Sequence, residues 1–283
     1  MKKRIPEKMV QGFRTTDGAG VHLVRVLSNE TVRDFDPFLM LDSFDSINPR
    51  DYIAGFPLHP HRGIETISFI SKGKMVHKDS LGNSAEIGDG EVQWMTAGSG
   101  ILHEERLPAS QKMLGVQLWM NLAHKDKMAV PEYKSIHNSE IPEIKIEGGV
   151  LRLLAGNYLD HKGFQSLYQP LDYYDIRLDE HQTFKVEVKE DRSIMLFTLS
   201  GEIAIDGVII KEKTAVKLSK GDYVEFKSLD YPVEVLMMSS IAIGEPVAWG
   251  GPIVMNTRNE LYKAFEELDD GTFIKEKIDY VEK

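Results

Sequence analysis

The feature that most constrains this chain is the stretch from Phe56 to Arg106, which opens with His59-Pro60-His61 and closes with His103-Glu104-Glu105. In an extended strand, residues two apart point to the same face, roughly 7 Å apart. Each end therefore aims two ligand-type side chains one way: His59 with His61, and His103 with Glu105. If the intervening strands fold the ends together, three imidazoles and one carboxylate meet around one ion. Neutral imidazole and carboxylate suit divalent iron, zinc, nickel, copper, manganese or cobalt. Pro60 donates no hydrogen bond, so its strand belongs at an edge, a bulge or a strand start, where a barrel mouth lies. The turn Ala97-Gly98-Ser99-Gly100 lets the chain reverse tightly before His103. Glu104 is expected to face away.

A lone His-x-His is a common accident, and the second pair across several strands is what makes the pattern specific. Glu65 shares the face of His61 but lies about 14 Å along a straight strand, so Glu105 is the preferred carboxylate and Glu65 is read as structural or beside the site. The remaining histidines (His22, His77, His124, His137, His161, His181) are read as surface or packing residues. Trp94, Trp119 and Phe69 alternate within strands and are read as core.

Short runs rich in β-branched and aromatic residues surround this stretch. They include Val21–Leu27, Asp36–Phe44, Glu65–Ser71, Lys74–Lys78, Glu91–Thr96 and Leu114–Asn121, with Gly, Asn or Asp between them. Such spacing predicts an all-β sandwich or barrel. The pattern fades between Tyr133 and Glu147, where a domain boundary is expected. Residues 1–134 are assigned to a first, metal-binding barrel and 135–283 to a second. The second half echoes the first: Ile67-Ser68-Phe69-Ile70 to Gly73 aligns with Met195-Leu196-Phe197-Thr198 to Gly201 at an offset of 128, and Gly88-Asp89 matches Gly221-Asp222. That offset puts Glu187 and Lys189 at the places of His59 and His61, and the apolar run Val235–Met238 near those of His103 and Glu105. The second barrel is thus expected to hold no metal. A helix is predicted over 257–270: Thr257 and Glu260 form a capping box, Leu261, Phe265 and Leu268 recur at helical spacing, and Gly271 supplies the stop.

A net charge of −10 argues against broad binding to nucleic acid or anionic lipid, and the lack of cysteine removes disulfides and thiolate sites. No run approaches the roughly 20 apolar residues of a membrane helix. The basic start, MKKRIPEKMVQGF, leads into no signal-length apolar run, so a cytoplasmic protein is expected.

The strings HPHRGIETISFISKGKMVHKDSLGN and QWMTAGSGILHEE resemble the pirin family of the cupin superfamily. DPFLMLDSF, GVQLWMNL and EPVAWGGPIVMNT extend the resemblance over nearly the whole chain. It implies two tandem cupin (jelly-roll) barrels, with one mononuclear metal, usually Fe(2+), in the amino-terminal one. The family's ligand positions fall on His59, His61, His103 and Glu105, with Glu65 as a non-ligand. One departure is His103-Glu104-Glu105-Arg106, which puts charge where many relatives carry a neutral residue. Mammalian members are regarded as nuclear transcriptional coregulators, and some bacterial members show quercetin 2,3-dioxygenase activity. Two expectations follow. The first is an oxygenase using dioxygen on a flavonol-like or other enolic aromatic, with Glu105 also taking the substrate's hydroxyl proton. The second is a metal- or redox-sensing module that binds a protein partner. With no recognition helix or basic face, direct nucleic-acid binding is not expected, and the chain is read as a monomer.

Overall fold

The β-branched and aromatic runs become strands. Val21–Leu27 and Glu91–Thr96 form over the expected residues, and Ile64–Lys72 and Met113–Asn121 extend one residue past them. The computed structural model describes residues 1–276, most of them in β-strands. Two further strands, Glu132–Ile136 and Glu143–Ile146, occupy the polar stretch where the pattern fades. Each alternates, with Ile136 buried and Ile144 and Ile146 half-buried between exposed charges, as a sheet-edge strand does.

The chain forms two units. One holds Arg14–Leu23, Phe44–His137 and the residues from Gly244 on; the other holds Met1–Phe13, Val24–Ser43 and Asn138–Ile243. The middle boundary falls within the expected polar stretch, but the ends depart from the linear division into 1–134 and 135–283. Pro6–Gln11 pairs with Thr214–Leu218, closing what would be an open edge of the second half's sheet. The helix Arg258–Asp269 carries both bonds of the predicted capping box. It packs Leu261 and Ala264 against Ile253 and Met255, within the unit that holds the histidines. A strand pairing across some two hundred residues leaves no local trace in sequence.

In the histidine-bearing unit, one sheet runs Glu132–Ile136, Glu91–Thr96, Ile64–Lys72, Met113–Asn121, and the other Phe56–His61, Ile101–Arg106, Met75–Asp79, Ser84–Ile87. Ile70 and Met113 from the first and Met75 and Ile87 from the second share one apolar cluster. The other unit repeats this order. Its large sheet contains Pro6–Gln11, Thr214–Leu218, Arg192–Ser200 and Val233–Ile241, followed by Leu171–Leu178, Gly149–Ala155 and Glu143–Ile146. Its small sheet runs Thr183–Glu187, Tyr223–Ser228, Ile203–Ile205, Val208–Ile210. Each unit is a double-sheeted jelly-roll barrel. Among the described residues no helix is long and apolar enough to cross a membrane.

The offset of 128 holds for Ile64–Lys72 against Arg192–Ser200, and both following glycines take positive φ (Gly73 at 104°, Gly201 at 75°). It carries on into the next strand, where Met75 matches Ile203, and fails beyond because the connecting loops differ in length. The counterpart of Ile101–Arg106 is Tyr223–Ser228, not Val235–Met238, and Gly88-Asp89 and Gly221-Asp222 lead into non-equivalent strands. Lys189 lies beyond the end of the Thr183–Glu187 strand, so it does not replace His61.

Candidate metal centre

Phe56–His61 pairs antiparallel with Ile101–Arg106, setting His103 opposite His59 and Ile101 opposite His61. Period-two alternation turns His59, His61, His103 and Glu105 inward, and Glu104 outward. A register shift between His103 and Glu105 puts Glu105 opposite Phe56. Two close backbone approaches fix the adjoining turns. A Cβ on Gly63 (φ +78°) would sit 2.0 Å from the Val254 carbonyl oxygen, and one on Gly98 (φ +49°) 2.1 Å from that of Ala129. Only glycine fits either place.

Three imidazoles converge. His59 Nε2 lies 3.1 Å from His61 Nε2 and 3.0 Å from His103 Nε2. The outer nitrogens of two of them meet backbone carbonyls, His59 Nδ1 at 2.8 Å from Pro57 O and His61 Nδ1 at 2.9 Å from Pro252 O. A carbonyl only accepts, so both Nδ1 atoms carry the hydrogen and both Nε2 atoms present lone pairs. Lone pairs facing one another at this distance repel unless a cation lies between them. Cis ligands on a metal with ~2.1 Å bonds to nitrogen stand about 3.0 Å apart, so the spacing fits such an ion. Burial lowers His61 to about 3, with His59 adding to the effect, and burial with the neighbouring imidazoles holds His103 well below the usual histidine range. Both favour the neutral form that metals bind. His59 is half-buried, whereas His61 and His103 are closed off, so the centre opens on the His59 side.

Glu105 does not join this group. It clusters with His103 and His77, and its carboxylate accepts from Gln93 Nε2 at 2.5 Å and Gln117 Nε2 at 2.8 Å. Two buried amides thus satisfy both of its oxygens. Glu65 lies apart from the imidazoles, with Oε1 accepting from Trp94 Nε1 (3.0 Å) and Thr96 Oγ1 (2.8 Å). Its Oε2 has no hydrogen-bond partner among the described residues. Burial pushes the Glu65 carboxyl up to about 7, with Asp126 and Glu132 adding to the rise against the Trp94 and Thr96 hydrogen bonds.

Four residues near the centre were not read from sequence as part of it. His77 is fully buried, stacked on Tyr133 at 4.1 Å and bonded to Asp79 Oδ2 at 2.8 Å. His77-Lys78-Asp79 is itself a same-face pair two residues apart, so a signal was present. Trp119 meets His61 edge-on at 4.8 Å, so this residue, read as core, also borders the imidazoles. Trp249, from 130 residues further along the chain, lies 5.8 Å from Trp119. Lys127 is buried with its ammonium on Gly63 O (2.8 Å), Val254 O (2.9 Å) and Asn121 Oδ1 (2.5 Å), tying the turn after His61 to the strand after Pro252. Burial lowers Lys127 to about 7, against the pull of Glu245 and Glu260.

Two jelly-roll barrels in one chain, one of them lined by a histidine cluster, define a two-barrel cupin. The family model described as Pirin matches residues 20–120, and that of the Pirin C-terminal cupin domain matches 173–274. A pirin-like protein of Caulobacter vibrioides is 39% identical over 94% of this chain and 98% of its own length. The Pirin of Homo sapiens is 33% identical over 88% of this chain and 87% of its own. Among solved structures, a quercetin 2,3-dioxygenase from Acinetobacter baumannii superposes with a TM-score of 0.87 at 31% identity, covering 96% of this chain and 99% of that one. This chain belongs to the pirin family.

Proposed function

We propose that this protein is a metal-dependent oxygenase of the quercetin 2,3-dioxygenase type, acting on a flavonol-like or other enolic aromatic. His59, His61 and His103 would hold the metal, and Glu105, seated apart from them with its oxygens on the Gln93 and Gln117 amides, would turn toward them to join. The observation that carries the reading is the convergence of His61 and His103 Nε2 on His59 Nε2, at 3.1 and 3.0 Å, with the Nδ1 atoms of His59 and His61 committed to backbone carbonyls. Glu105 shares the strand face of His103 and is proposed as the carboxylate that completes the set. Imidazole donors with one carboxylate and open positions suit non-haem Fe(2+), while zinc, nickel, manganese, copper and cobalt accept the same donors. A bound ion would supply Lewis acidity and redox capacity where the imidazoles meet.

The protein's own groups supply the rest. Glu105, held by Gln93 and Gln117, is the base for the substrate's enolic hydroxyl proton. Trp119 and Trp249 offer ring faces beside His61 against which an aromatic substrate can stack. The buried flank made by His61, His103 and Trp119 excludes water from the reacting atoms. The similarity to a solved quercetin 2,3-dioxygenase supports the substrate class.

The test combines elemental analysis of the purified chain with aerobic incubation of Fe(2+)-loaded protein with quercetin, following the flavonol absorbance. The expected result is about one metal per chain and loss of the absorbance, with both abolished by His59→Ala. Bound metal with no turnover of any enolic aromatic would overturn the oxygenase reading and favour the metal-sensing, partner-binding one.

A further inference from the structure

Of the three converging imidazoles, His103 is held differently. His59 and His61 are fixed by carbonyl acceptors, but His103 Nδ1 faces another imidazole nitrogen, His77 Nδ1, at 3.4 Å. Two such nitrogens share a hydrogen only if one donates and the other accepts, and the pair alone does not decide which. Asp79 decides it. Its Oδ2 lies 2.8 Å from His77 Nε2, while its Oδ1 accepts from the backbone N–H groups of Leu81 (2.9 Å) and Asn83 (3.0 Å). The Asn83 side-chain amide adds donors to Oδ1 and Oδ2 at 3.2 and 2.9 Å. A carboxylate surrounded by donors accepts, so His77 Nε2 carries the hydrogen and His77 Nδ1 is the acceptor. His103 Nδ1 must then donate, which leaves His103 Nε2 bare and turned toward His59.

We propose that Asp79 and His77 are positioning residues for the metal centre. Their hydrogen-bond chain, Asp79 Oδ2 to His77 to His103 Nδ1, fixes the tautomer in which His103 can bind a metal. The geometry is built for rigidity. His77 and Asp79 lie two apart on Met75–Asp79, opposite Glu105 and His103 on the neighbouring strand, and Tyr133 stacks on the His77 ring with 14° between planes. Neither His77 nor Asp79 has any exposed side-chain surface. The outer partners of metal-binding histidines commonly set ligand orientation in this way.

The proposal rests on the metal-centre reading, and its test separates the two. In Asp79→Asn the Leu81 and Asn83 N–H groups keep the amide oxygen where Oδ1 stood, so the amide nitrogen faces His77 Nε2. That nitrogen donates, His77 flips to the Nδ1–H tautomer, and His103 is forced to carry its hydrogen on Nε2. Long-range 1H–15N spectra of the 15N-histidine-labelled, chelator-treated chain read this without any metal. The expected result is bare Nε2 on His103 in the parent protein and protonated Nε2 in Asp79→Asn. Zn(II) affinity, measured by chelator competition, is expected to fall about 10–100-fold in Asp79→Asn. In His77→Phe, which keeps the packing on Tyr133, the affinity falls and His103 loses its single tautomer. A protonated Nε2 in the parent protein overturns the proposal, as does an unchanged His103 tautomer in either folded variant. If Asp79→Asn does not fold, the parent spectrum and His77→Phe decide. Tautomer inversion in a chain that binds no metal would uphold the relay and sink only the metal reading.

Discussion

The two barrels share a strand order and differ in what they put inside. In Phe56–His61 and Ile101–Arg106, the inward faces carry His59, His61, His103 and Glu105. In the equivalent strands of the other barrel, Phe184 stands opposite Phe226 and Val186 opposite Val224, with the two phenyl rings 5.4 Å apart. Those side chains join an apolar cluster with Leu196, Val216, Val235 and Met237. The outward residues Lys185 and Glu225 pair at 4.0 Å instead. A jelly roll therefore tolerates either filling, but a polar one needs partners for each buried group. The histidine barrel supplies them through the carbonyls of Pro57 and Pro252, the amides of Gln93 and Gln117, and the His77–Asp79 pair. Phe184, Val186, Val224 and Phe226 need no such partners and are held by burial.

The contrast yields predictions of decreasing size. His103→Ala should remove metal binding, taking the stoichiometry from about one ion per chain to near zero by elemental analysis, because one of three converging donors is lost. Retained stoichiometry would break the assignment of the site to this barrel. Phe226→Ala should cost about 3–5 kcal/mol in denaturant unfolding of its own barrel and leave metal affinity unchanged. A coupled loss of metal would show that the barrels do not divide the work as described.

The third prediction concerns pH. Glu65 has a raised folded-state value of about 7 against 4.5 for the ordinary group, so the folded chain holds a proton that the unfolded chain releases. Its contribution is fully present below pH 4.5 and is lost as pH rises through 7, about 3 kcal/mol across that window. Glu65→Gln should flatten that part of the stability–pH curve, and an unaltered slope would contradict it. Thr257→Ala removes the helix cap and should cost about 1 kcal/mol, seen only in the transition of the histidine-bearing unit.

Much of the site was legible because period-two alternation is local: His59 with His61, and His103 with Glu105, could be paired from spacing alone. His77 with Asp79 obeyed the same rule, but a single pair without a second constellation gave no reason to bury it. Trp249 and Lys127 reach the centre only through long-range folding, and no local pattern marks them. The repeat was legible from Ile64–Lys72 and Arg192–Ser200, whose lengths match, to the next strand, where Met75 matches Ile203, and illegible beyond because loops of unequal length break a fixed offset. The exchanged ends were hidden for a related reason, since Pro6–Gln11 pairs with a strand some two hundred residues away.

An anomalous-difference map from crystals of metal-loaded protein, collected at the absorption edge of the added metal, tests the central claim most directly. One peak per chain is expected, about 2.1 Å from the Nε2 atoms of His59, His61 and His103, and none in the barrel of Phe184 and Phe226. A peak anywhere else, or none between those three imidazoles, would contradict it.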